Sequence, residues 1–129
     1  MPHPMIRNGF ILAGLMNFSV LLFSKGFTNT ILNAADPVVM SNFGLLMIMV
    51  WGLAYISIAN TYQHTRWLIG VFALEKLIYF VVWITWLSNN SLSNVYTNDL
   101  FAGLFYSIYG INDFIFMCFF AWVWSRKTG

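Results

Sequence analysis

Four long apolar stretches, separated by short polar segments, dominate the pattern of this chain. They cover residues 5–24, 38–59, 67–87 and 100–124, each close to the roughly 20 residues that carry an α-helix across a bilayer core. Apolar residues fall on every side of each run instead of alternating. A helical span therefore fits, and a strand of an outer-membrane barrel does not. The first run begins beside Arg7 and ends at Lys25. A basic start before apolar residues also describes a signal peptide, but no small-residue cleavage site follows and three more runs do, so the run reads as an uncleaved first helix. KGFTNTILNAADP is expected to be a polar connection that ends in a helix start, with Asp36 as N-cap and Pro37 as first helical residue. Thr65 or His64 is placed to cap the third helix. Asn98 or Asp99 would cap the fourth, after the turn-rich SNNSLSNVYTND loop. The pattern predicts an all-α, four-span transmembrane helix bundle, a single integral membrane domain over residues 1–129. Its short connections make consecutive helices antiparallel neighbours.

Composition agrees with that pattern. Only 8% of the 129 residues are charged, about a third of what a soluble domain carries to stay dissolved. The spans occupy most of the chain, so no separate catalytic domain is expected. Loop charges give an orientation: Arg7, Arg66, Arg126 and Lys127 would share one side, against Lys25 on the other. By the positive-inside tendency both termini are then cytoplasmic, in a multi-pass protein of the plasma membrane or, in a bacterium, the inner membrane. Tyr62, Trp67, Trp122 and Trp124 would form the inner aromatic belt, and Trp83, Trp86 and Tyr96 the outer one. A scattered net charge of +2 gives no nucleic-acid footprint. Cys118 stands alone, and no histidine lies in a span. No disulfide, metal site or cofactor is expected. Asn89-Asn90-Ser91 fits a glycosylation triplet but lies against the membrane boundary and is discounted.

Three ionisable residues fall inside the spans: Glu75, Lys76 and Asp113. A charge at bilayer centre costs roughly 2.5–3.5 kcal/mol on insertion scales, so each needs a partner. Counting helical rise from the span ends puts all three at nearly one depth, with Asn17 and Trp51 level with them. Gly103, Tyr106, Gly110, Asp113 and Met117 share a stripe on the fourth helix, where small residues would admit a neighbouring helix. On the third, Phe72, Glu75, Tyr79 and Val82 share one stripe, and Lys76 points about 100° away with Phe80 and Trp83. Lys76 could pair with Asp113, leaving Glu75 to bond Tyr79, Asn17 or a tyrosine of the fourth helix; the reverse pairing is equally open. The candidate ligand-binding set is Glu75, Lys76, Asp113, Tyr79, Tyr106, Tyr109, Trp51, Asn17 and Asn112.

A nucleophile elbow, phosphate loop and paired histidines are all lacking, and a non-enzymatic role is favoured. Small drug exporters of similar length carry a carboxylate in their first helix, and this first helix has none. In architecture alone the plan resembles four-helix sterol-isomerase-like proteins, which place carboxylates and aromatics in a membrane pocket; no motif aligns. The leading expectation is a polar pocket at mid-membrane that binds a small lipid-like or apolar molecule. The alternatives are an accessory subunit, whose glycine faces dock a larger membrane complex, and a proton- or ion-conducting homo-oligomer.

Overall fold

A computed structural model describes residues 3–126, which are helical with no strand among them; Lys127 lies outside the described residues. In chain order the helices are α1 (Pro4–Phe18), α2 (Val20–Phe23), α3 (Thr30–Ala35), α4 (Asn42–Ser57), α5 (Arg66–Asn89), α6 (Leu92–Asn98) and α7 (Leu100–Ser125), with a 3-10 turn at Tyr62–His64 before α5. α1 and α2 together make a 20-residue rod, Pro4–Phe23. This rod, α5 and α7 are the three helices long and apolar enough to cross a membrane, extending about 30, 36 and 39 Å at helical rise.

The second apolar run departs from expectation. It is helical only over the 16 residues of α4, about 24 Å. Asp36 closes α3 instead of opening α4. Its carbonyl accepts the Met40 N–H at 2.8 Å across a turn containing Pro37. Ser41 is the N-cap of α4, with its hydroxyl accepting the Gly44 N–H at 3.1 Å. The cause is burial: Leu32 and Met40 are both fully covered, and Asn33 Nδ2 donates to the Met40 carbonyl at 2.7 Å. The segment folds back over the bundle end, leaving α4 to start later. The serine- and asparagine-rich connection likewise holds α6, started by Ser91 accepting from Asn94 N.

Two antiparallel helix pairs make the bundle, α1 with α4 and α5 with α7. α1 and α4 approach backbone to backbone. A Cβ on Gly52 would stand 2.9 Å from the Gly14 carbonyl oxygen and 2.9 Å from Asn17 Cβ, so only glycine permits the approach. α5 and α7 meet through a side chain. The Trp83 ring lies on Gly110, and its Nε1 donates to the Tyr106 carbonyl at 2.7 Å. The expected glycine stripe of α7 thus receives rings, Trp83 on Gly110 and Tyr96 on Gly103, in place of a helix backbone.

The ends are tied separately. At one, His3 N donates to the Tyr62 hydroxyl at 2.8 Å and Arg66 Nε to the Trp124 carbonyl at 2.9 Å; Arg7 and Arg126 lie near these groups. At the other, Asp99 caps α7 by accepting from Ala102 N at 2.9 Å, and also takes Lys25 Nζ at 2.8 Å and Asn29 Nδ2 at 2.7 Å. The Lys25 hydrogen bond, foremost among these, holds the Asp99 carboxyl below its usual range. Of the expected outer belt, Trp86 is instead buried, donating to the Ala35 carbonyl at 2.8 Å and stacking on Tyr106. Trp83 is a packing knob. Both indoles found carbonyl partners inside the fold, which draws them off the periphery.

Buried apolar residues form two clusters. One gathers Phe10, Tyr55, Phe72, Phe116 and Phe120; the other gathers Val20, Leu45, Trp86, Phe105, Tyr106 and Tyr109. Along α1, α5 and α7 the polar residues described next lie between them. Outside, Leu15, Leu53, Leu74, Ile78, Ile111 and Ile115 are exposed, so the long helices are apolar on both faces, as a lipid solvent requires.

Candidate functional site

Four buried polar residues from three helices meet between the two aromatic clusters. Asn17 comes from α1, Glu75 and Lys76 from α5, and Asp113 from α7; none is more than 7% exposed. Lys76 Nζ donates to Asp113 Oδ1 at 2.9 Å and to Asn17 Oδ1 at 3.0 Å. Asn17 in turn donates through Nδ2 to the Ile48 carbonyl of α4 at 2.8 Å, and Asn112 Nδ2 donates to Asp113 Oδ1 at 3.3 Å. Glu75 accepts a hydrogen bond from the Tyr55 hydroxyl of α4. The angular offset between Glu75 and Lys76 explains this split. α5 sends Glu75 towards α4, and Lys76 towards α7 and α1.

Beside the packing of Phe72 on Tyr55 and Trp51, α5 reaches the first helix pair through two polar contacts, Glu75 with Tyr55 and Lys76 with Asn17. The layer therefore joins the pairs as well as neutralising charge. Removing an ammonium or carboxylate from water costs several kcal/mol per ion, which is recovered only when every polar atom is well paired. Lys76 meets that condition through two acceptors and the face of the Tyr55 ring, whose centroid is 5.2 Å from Nζ.

Beside the layer lies a cavity of about 40 Å³, lined by Asn17, Glu75, Lys76, Tyr79, Tyr109 and Asp113, with Asn112, Ser19 and the apolar walls of α1, α2, α4 and α7 completing it. That space holds about three waters; sites for whole drug-sized molecules begin near 300 Å³. Ile108, also in its lining, is exposed, so one wall reaches the apolar exterior beside α7. The Tyr109 hydroxyl is buried and meets no hydrogen-bond partner among the described residues.

Two candidates lie elsewhere. Trp51 is half-buried and set edge-on to Phe72, with centroids 6.0 Å apart. Tyr106 donates to the Leu32 carbonyl at 2.7 Å and stacks on Trp86 at 4.4 Å. Neither lines the cavity. The residue missing from the candidate set is Tyr55, whose ring packs on Phe72 and Phe120, with centroids at 4.8 and 5.0 Å, while its hydroxyl reaches Glu75. Leu45, Gly52 and Tyr55, the buried positions of α4, are spaced seven and three apart on one helical face. That spacing was the available signal.

Comparison with known protein families, with characterised proteins and with solved structures finds no match for this chain. Chemically, the arrangement offers a carboxylate and a free tyrosine hydroxyl around a small space, beside a carboxylate–ammonium pair that is already satisfied.

Proposed function

We propose that the chain is a membrane protein of four spans, termini cytoplasmic, whose cavity takes the polar head of a small amphipathic molecule while its apolar part lies against the exterior beside α7. The observation that carries this reading is a cavity lined by buried charges with one wall on an apolar exterior. In hydrocarbon such a space needs a polar occupant, because unpaired polar groups there cost several kcal/mol each. α4 is one residue below the usual lower limit for a span. It carries no charged residue, packs along α1, and is flanked by turns at 37–40 and 58–61 that would lengthen the crossing. Arg7, Arg66 and Arg126 at one end, against an ion-paired Lys25 at the other, support the orientation.

The other two readings have less support. A partner docked on glycine faces would need free glycines, and those of α7 are filled by Trp83 and Tyr96. A conducting path would need polar continuity to both ends, yet an aromatic cluster closes the layer on each side.

Topology is testable with single cysteines in a Cys118→Ser background. Ser88→Cys should react with a membrane-impermeant thiol reagent on intact cells, and Asn60→Cys only after permeabilisation; the opposite pattern inverts the orientation. Occupancy is testable by native mass spectrometry of the full chain from its own membranes. The expected result is a one-to-one amphipath adduct, lost in Ile108→Trp, whose larger ring competes with the occupant for the mouth of the cavity. A wild-type chain that carries no adduct would remove the pocket reading.

A further inference from the structure

Charge in the layer does not balance. Two carboxylates, Glu75 and Asp113, face one ammonium, Lys76, and the groups around them, Asn17 of α1, Tyr55 of α4, Tyr79 of α5 and Tyr109 of α7, are neutral. Lys76 is committed to Asp113 and Asn17. Among the described residues Glu75 accepts a hydrogen bond from the Tyr55 hydroxyl alone, a neutral donor that orients a carboxylate without cancelling its charge. Tyr109 adds a buried hydroxyl with no hydrogen-bond partner among the described residues, able to accept as well as donate. Phe23, Phe105 and Tyr109 line the cavity as well, and an aromatic ring whose face is open to a cation attracts it.

Resting on the pocket reading above, we infer that the occupant's head is a small monovalent cation of the primary-ammonium kind, held by the Glu75 carboxylate and the Tyr109 hydroxyl. Its charge completes the pairing of two carboxylates with two ammonium groups, and the cavity of about 40 Å³ admits a head of that size while excluding a bulkier one. An anionic head would add a second uncompensated negative charge at the same depth. A proton on Glu75 competes with the cation for the same carboxylate, so binding weakens in acid.

The test uses the full chain in phosphatidylcholine nanodiscs and three probes of equal tail, dodecylammonium, dodecanol and dodecanoate. The one-to-one saturable component is read by calorimetry against empty discs. Dodecylammonium should bind roughly tenfold or more tighter than dodecanol, and its affinity should fall by up to about tenfold per pH unit once acid protonates Glu75. Glu75→Gln should bring amine and alcohol level. Tyr109→Phe breaks no hydrogen bond and so keeps the inference testable if Glu75→Gln fails to fold; it should weaken the amine several-fold and leave the alcohol unchanged. Equal saturable binding of amine and alcohol, or tightest binding of dodecanoate, would overturn the cation assignment and leave the pocket standing. Absence of saturable binding by all three would remove the pocket as well.

Discussion

Asp113→Ala destabilises the folded chain by about 3–5 kcal/mol, the loss expected when one partner of a buried ion pair is removed and the other is left charged. Lys76 is 1% exposed, and with Asp113 gone its ammonium keeps only Asn17 Oδ1 as a protein acceptor. A water in the adjoining cavity could replace the lost acceptor but not the lost negative charge. The double variant Lys76→Met with Asp113→Leu separates two roles for the pair. It removes both charges and fills the space with side chains of similar bulk, so most of the lost stability should return. The residue of the loss should be about 1 kcal/mol, for the acceptor and donor that Asn17 and Asn112 no longer satisfy. Unfolding in detergent, followed by far-UV circular dichroism, measures both. A double variant that folds but carries no ligand would assign the pair to the pocket. A single variant that melts with the wild type would show that the pair does not hold the helix pairs together.

How much of this was legible in the sequence depends on the kind of signal. The long helices were, because some twenty consecutive apolar residues admit few alternatives. The α7 start was legible to within one residue, Asn98 or Asp99, since a short polar side chain before an apolar run can accept an orphan N–H; the structure uses Asp99. The start of α4 was not. Asp36-Pro37 is a sound local start signal, overridden by the burial of Leu32 and Met40, a tertiary effect that spacing cannot register. Counting helical rise set Glu75, Lys76, Asp113, Asn17 and Trp51 level; the structure brings the first four together and leaves Trp51 apart, against Phe72. It could not choose the partner of Glu75, because Tyr55 enters from a helix whose rotation about its own axis depends on where Gly52 meets Gly14. Trp83, Trp86 and Tyr106 were equally opaque. An aromatic residue near a span end reads as a belt or as a pocket wall, and only the Ala35, Tyr106 and Leu32 carbonyls show where their polar atoms go.

The Gly14–Gly52 contact leads to the second large effect. Gly52→Val should destabilise by about 1–3 kcal/mol as an overpacked interface. The added Cβ meets the Gly14 carbonyl, which is backbone and cannot turn aside, and the Asn17 Cβ. α1 and α4 must separate, and Asn17 moves with α1. Its Nδ2 then leaves the Ile48 carbonyl and its Oδ1 leaves Lys76, so a steric change on one helix pair is felt as an electrostatic one in the other. Leu53→Val, one residue on and 56% exposed, should stay within about 0.5 kcal/mol. The coupling can be measured. If Gly52→Val acts partly through Asn17 and Lys76, its cost should shrink by about 0.5 kcal/mol or more in the Lys76→Met, Asp113→Leu background, where no ammonium needs that oxygen. Strict additivity would mean that the glycine contact and the polar layer are independent, with α1 and α4 held together by backbone packing alone.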